Sequence, residues 1–157
     1  MIFGAEGFEK GRSVVIVEEQ SNSITNIHGI TLQQNKHDLN NAIFVKCILD
    51  YLRSKGLIDL FAVGGNGGSL AQKYWTYIPF PLFSDKKRNE MVSLYFNSIE
   101  YDTQDFTIEN FIEKDNIFNE KAGIYELDKS LKQLKLILNE TIDNIVNDKE
   151  VNINFNI

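Results

Sequence analysis

Between Gly64 and Phe83 the chain places four of its ten glycines and both of its prolines, so no helix or paired strand can run through this stretch unbroken. Gly64, Gly65, Gly67 and Gly68 surround Asn66 and permit positive φ and close backbone approach, because no Cβ stands in the way. Pro79 and Pro81 hold Ile78-Pro79-Phe80-Pro81 extended, since each disfavours the α region for its predecessor and neither can donate to a ladder. The expected outcome is a loop, a short helical turn starting at Ser69 and carrying Gln72, Lys73, Tyr74 and Trp75, and then an edge strand or unpaired connector. Trp75, the single tryptophan, and Tyr77 suit core anchoring first and base stacking second.

Phosphate-binding readings of the glycines fail on their neighbours. A P-loop needs Gly-Lys-Ser/Thr where this chain has Gly68-Ser69-Leu70, and the spacing of the dinucleotide fingerprint is absent. No cofactor is expected. His28 and His37 lack a spaced third ligand and a single cysteine forms no zinc cluster, so no metal is expected either.

On either side of this stretch the sequence regains period. Residues 1–12 have three glycines and no period, which predicts an irregular loop. Val14–Val17 reads as a short strand of the buried kind, and Ile24–Leu32 as a second strand with imperfect alternation and a possible bulge at Gly29. Asn40 or Asn41 is placed to cap a helix that carries Ala42 to Leu52 and stops at Gly56. Leu57–Val63 fits a strand or a short helix. Ser84 offers a cap for a helix through Arg88, Val92 and Phe96. Asn97 to Gly123 reads as a structured connector with a short helix at 107–113 and buried aromatics at Tyr101, Phe106, Phe111 and Phe118.

The most regular pattern comes last. Ile124, Leu127, Leu131, Leu134, Leu138, Thr141 and Ile145 are spaced by threes and fours, a heptad seam widened by Ile137, Ile142 and Val146. Such a seam must be covered, either by the body of the chain or by a second helix. Residues 151–157 alternate and are compatible with an edge strand.

Composition narrows the class. At 157 residues, 43% of them hydrophobic, the chain can build one domain, or one domain with an appendage. No apolar run approaches the ~20 residues of a membrane span and no signal-peptide layout opens the chain, so a cytoplasmic protein with no membrane partner is expected. Cys47, the single cysteine, excludes an internal disulfide and reads as a small hydrophobe on a helix. The net charge of −6 is unevenly spread, with a balance of +2 over residues 1–88 and −8 over residues 89–157. A nucleic-acid-facing front and an acidic, protein-facing back are compatible with that division.

The order of these pieces resembles the target-recognition domain of specificity subunits from Type I restriction-modification systems. There an amphipathic helix, a Gly-rich turn, an Ile-Pro-x-Pro strand and a polar helix start lead into a long conserved helix. Here the sequence runs Phe44 to Leu52, Gly64 to Ser69, Ile78 to Pro81, Ser84 to Arg88, and the heptad helix, so the resemblance covers residues 24 to 150. Two departures accompany it. The usual Gln after the proline strand is replaced by the neighbourhood of Lys86-Lys87-Arg88. A complete recognition domain would also carry several dozen residues before Met1, so the chain resembles the C-terminal part of one, as a fragment, a truncated product or half of a split protein.

The resemblance implies a mixed α/β (α+β) fold: a partial DNA-recognition domain over residues 1–98, with a few strands, then a connector and long coiled-coil-type helix over 99–157. It implies no catalysis by this chain; no Asn-Pro-Pro-Tyr or Asp-Pro-Pro-Tyr methylation motif is present. The implied partners are double-stranded DNA, the methyltransferase and restriction subunits, and a second such helix from a homodimer or a sister half. The candidate DNA contacts are Lys10, Arg12, Asn26, His28, Asn66, Ser69, Lys73 and Tyr74. Lys10 and Arg12 would contact phosphate, as Lys86 to Arg88 would, while Asn26 and His28 would either read base edges or hydrogen-bond inside the domain. The candidate helix-pairing residues are Leu127, Leu131, Leu134, Leu138, Ile142 and Ile145. The rival class is a protein–protein module that uses the acidic helix without DNA.

Overall fold

The computed structural model describes residues 1–6, 10–18, 24, 28–64, 68–70, 72–99, 107 and 109–151, with residues 72–74 described by their backbone. The chain divides into two compact units, Met1–Val92 and Ser93–Ile157. The fold is mixed α/β, with a small antiparallel sheet and, among the described residues, four α-helices, the last of them long.

Three short strands make the sheet: β1 (Ile2–Gly4), β2 (Ser13–Val14) and β3 (Gly29–Thr31), in the order β2-β1-β3 and antiparallel throughout. The central strand lies inside the segment expected to be an irregular loop. Three residues are too few to display a period of two, and β1 is specified by its neighbours: Phe3 pairs with Ser13 on one side and Ile30 on the other. Phe3 is completely buried. The expected strand at Val14–Val17 also needs correction, since the ladder covers only Ser13–Val14 and one face is open. Ser13 and Val15 are buried while Val14 and Ile16 are exposed. Of the expected strand at 24–32, the ladder takes Gly29–Thr31, and residues 25–27 lie outside the described ones.

Helix α1 (Leu39–Ser54) follows the expected stripe, burying Ile43, Phe44, Ile48, Leu49 and Leu52. Its cap is Asp38 rather than Asn40 or Asn41: Asp38 Oδ1 accepts from the Asn41 backbone N–H at 2.9 Å. The helix stops as the sequence expects. Gly56 has φ +68, its N–H donates to Arg53 O, and the Leu57 N–H donates back to Leu52 O, which is a Schellman closure. The helix is fastened to the sheet by a polar cluster as well. Asp50 accepts from Ser13 Oγ at 2.8 Å and from the ammonium of buried Lys46. Cys47 packs on the same helix, and burial pushes its thiol up from the usual range.

In the second unit α3 (Phe111–Lys121) and α4 (Ile124–Val146) are joined by Ala122 and Gly123. The helix expected at 107–113 is therefore later and longer. Of its aromatics Phe118 is buried but Phe111 is exposed, and Tyr101 and Phe106 lie outside the described residues. The start of α4 is organised by one carboxylate. Buried Glu126 accepts from the backbone N–H groups of Asn97 and Ser98, both at 2.8 Å, and of Gly123 at 3.0 Å. Those donors would otherwise be costly to bury. Ser98 is held at φ +54 by this arrangement, and Tyr125 packs its ring against Phe96 at 5.6 Å.

The joint has room for no side chain. A Cβ on Gly123 would stand 2.5 Å from the Tyr95 carbonyl carbon and 2.7 Å from the Phe96 nitrogen, and backbone cannot yield as a flexible side chain can. Gly123→Ala should therefore destabilise the protein by roughly 1–3 kcal/mol. Urea unfolding followed by circular dichroism checks this, with Ala122→Gly as the comparison; equal midpoints for Gly123→Ala and the parent would show that the joint has slack.

Candidate functional site

The Gly-rich loop is closed by its own ends. Val63 and Ser69 exchange backbone hydrogen bonds, Val63 N–H to Ser69 O at 2.9 Å and Ser69 N–H to Val63 O at 2.8 Å. One residue on, the Leu70 N–H donates to Ala5 O at 2.8 Å, so the loop's exit pairs antiparallel beside the residues that follow β1. Leu70 is buried and anchors the exit. Gly64 has φ +108 and Gly68 φ +56, which gives two of the four glycines a backbone reason to be there. Leu57–Val63, which fits either a strand or a short helix by sequence, contains a 3-10 turn at Ile58–Phe61 and then the Val63 bridge.

After the loop a 3-10 turn at Gln72–Tyr77 carries Trp75. Its ring meets Phe3 edge-on, centroids 4.7 Å apart, and its Nε1 donates to Leu70 O at 3.4 Å. Trp75 is thus a core anchor. Tyr77 is exposed and does not share that role. Ile78-Pro79-Phe80-Pro81 forms no regular element, so the connector reading holds over the edge strand. Helix α2 (Asp85–Tyr95) then begins with the expected basic run, and Ser84 O accepts its first bond, from the Arg88 N–H at 3.0 Å.

The predicted contact residues meet different fates. Lys10 is largely buried, with its Nζ 2.8 Å from Asp59 Oδ1, so its charge is balanced within the fold. Arg12 is exposed at the edge of the sheet. His28 Nδ1 lies 3.3 Å from Glu6 Oε2, with both side chains about half exposed. Ser69 serves through its backbone as the loop clasp. Asn26 and Asn66 lie outside the described residues, as do the side chains of Lys73 and Tyr74.

The basic run is itself divided. Arg88 Nη2 donates to Asn41 Oδ1 at 2.7 Å and its guanidinium lies 4.8 Å from the Phe44 ring centroid, which ties α2 to α1. Lys86 and Lys87 remain exposed. No spacing in the sequence distinguishes the three, because the Asn41 that Arg88 bonds on α1 is 47 residues away.

A groove of about 630 Å³ was not foreseen from the sequence. Val15, Val17, Leu32, Ala42 and Val45 make it apolar, and Gln33, Gln34 and Asn41 add amides. Its walls come from three separated segments, so no single window of sequence carries a signal for it. Among the described residues no three of His, Cys, Asp and Glu converge as metal ligands. No described helix is long and apolar enough to cross a membrane.

The helix-pairing candidates, by contrast, share one condition. Leu127, Leu131, Leu134, Leu138, Ile142 and Ile145 are all exposed, between 41% and 59%. Glu126 is the one buried residue of α4. Comparison with protein-family models, curated proteins and solved structures finds no match for the chain.

The shape of the Gly loop is open to a direct test. A Cβ on Gly68 would press on Ala62 Cβ at 3.1 Å and sit at a φ that β-branched residues avoid. Gly68→Val should cost roughly 1–2 kcal/mol or more. Thermal unfolding measures it, and Gly64→Ala, whose Cβ meets open space but also requires positive φ, separates the backbone cost from the packing cost.

Proposed function

We propose that this chain is a non-catalytic DNA-recognition module of the kind found in Type I restriction-modification specificity subunits. In this reading the first unit contacts duplex DNA through its loops, and the second unit holds the assembly together and positions methyltransferase and restriction subunits. The single observation that carries the reading is the succession of elements. A Gly-stopped helix, a clasped Gly turn, an unpaired Ile-Pro-Phe-Pro segment and a helix opening on exposed lysines are followed by a 23-residue helix with its apolar stripe uncovered. The exposed cations Arg12, Lys86 and Lys87 supply phosphate contacts, and His28, half exposed beside Glu6, reaches a base edge or the sugar-phosphate backbone.

A second reading, a protein–protein module without DNA, is favoured by a separate observation. Lys10 and Arg88 are both occupied by partners within the fold, which thins the basic face, while the uncovered stripe on α4 is apolar and residues 89–157 carry a balance of −8.

A duplex-binding titration in increasing salt separates the two. With DNA recognition, Lys86→Glu combined with Lys87→Glu should weaken binding about equally for all sequences and reduce the slope of log K against log salt by about 1–2, as expected when that many phosphate contacts are lost. An unchanged slope would remove Lys86 and Lys87 from the interface, and no binding by the parent protein at low salt would leave the protein–protein reading.

A further inference from the structure

The groove beside Met1 has the layout of one further strand position. β2 and β3 both run antiparallel to β1, so the residues that follow them, 15–18 and 32–34, pass on either side of the line of β1 where that strand begins. In a sheet, the two neighbours of one strand stand about 9–10 Å apart, which is room for a single extended chain. The side chains of both segments keep the period of the sheet. Val14, Ile16 and Glu18 are exposed, with buried Val15 and half-buried Val17 between them, and Leu32 and Gln34 are half-buried on either side of exposed Gln33. The ladders fix which backbone groups look into the groove. Leu32 N–H donates to Met1 O at 2.8 Å, Met1 N to Leu32 O at 3.1 Å and Ala5 N–H to His28 O at 2.9 Å, so odd-numbered residues along β1 bond to the β3 side. Gly4 N–H donates to Arg12 O at 2.8 Å, so even-numbered ones bond to the β2 side. Carried past the start of β1, this alternation turns the backbone of Ile16 and of Gln34 towards the groove. Neither makes a backbone hydrogen bond to another described residue.

We propose that this groove binds an extended peptide segment of a partner protein, which enters in line with β1 and antiparallel to both flanking segments. Main-chain hydrogen bonds to Ile16 and Gln34 supply the grip, and alternate side chains supply the specificity. The peptide side chain level with Val17 and Gln34 points inward, onto Val15, Leu32, Ala42 and Val45, and suits a branched apolar residue. Its neighbour, one residue farther from Met1, lies level with exposed Glu18. Glu18 and Asp38 line the groove without any lysine or arginine, and the Met1 ammonium is taken up by Leu32 O, so the matching residue there is basic. Read towards Met1, the pattern the groove accepts is apolar, basic, apolar, polar. This goes beyond the DNA-recognition reading and holds whether or not the first unit binds DNA.

Two measurements on the full chain test register and charge separately. Joined directly ahead of Met1, where its register is fixed, the sequence Val-Lys-Val-Thr should raise the Tm by at least about 4 °C. Lys-Val-Thr-Val in the same place should not, because a slip of one residue sends every side chain to the wrong face. As a free capped peptide, Val-Lys-Val-Thr should shift the amide resonances of Ile16 and Gln34 in the nitrogen-15-labelled protein. Glu18→Lys, an exposed change, should weaken that binding about threefold, and the peptide Val-Glu-Val-Thr should recover it. Equal Tm for the two joined sequences, no shift at Ile16 and Gln34 in millimolar peptide, or an affinity indifferent to the charge swap would each overturn the proposal. Binding that appears only after residues 151–157 are deleted would assign the groove to this chain's own alternating segment and overturn it as well.

Discussion

Phe3 is the residue around which the first unit closes. Its backbone pairs with β2 on one side and β3 on the other, and its ring is met edge-on by Trp75 from beyond the Gly loop. Burying a ring of this size is worth roughly 1.5–3 kcal/mol, and strands of two and three residues have little stability apart from such a contact. The Gly loop's exit is registered against the same strand by the Leu70 to Ala5 hydrogen bond. A sheet this small therefore depends on residues some seventy positions away to complete its centre.

The second unit follows a different logic. Its organising group is charged: Glu126 gathers three backbone N–H groups from two chain segments at the start of α4. Hydrogen bonds to a carboxylate are stronger than those between neutral groups, and removing it would strand the three donors. The other end of α4 is closed mainly by backbone, with Asn147 Nδ2 also donating to Asp143 O at 2.6 Å. Asp148, at φ +52, and Lys149 return their N–H groups to Ile145 and Asn144 in a Schellman closure. Between these ends the helix has caps but no buried apolar side chain, so its tertiary support has to come from what covers the seam.

The polar groups that fasten the first unit also shape its exposed surface. Asp50 joins α1 to β2 through Ser13, Arg88 joins α2 to α1, and Asp59 balances Lys10 beside the Gly loop. Each takes a charge that sequence alone would assign to a ligand or to solvent. The cations left exposed at the start of α2 differ from Arg88 in their position around the helix and in carrying an ammonium in place of a planar guanidinium.

What the sequence determined by itself was everything that repeats or that only one residue type permits. The heptads of α4, the stripe of α1, its stop at Gly56, the Gly loop and the extended proline segment follow from local periodicity and from backbone restrictions acting over a few residues. The tertiary structure decided the rest. That Ile2–Gly4 is the central strand, that Val14 faces outward while Val15 faces inward, and that Trp75 rather than Tyr77 anchors the core depend on pairings across the chain. So do the pairing of Lys10 with Asp59 and the separation of Arg88 from Lys86 and Lys87, because an ion pair or a guanidinium–ring contact is made between residues that no local pattern connects. Glu126 shows both sides: its place at the third residue of a helix behind a glycine is a local signal, but its hold on Asn97 and Ser98 exists only once the chain has folded back on itself.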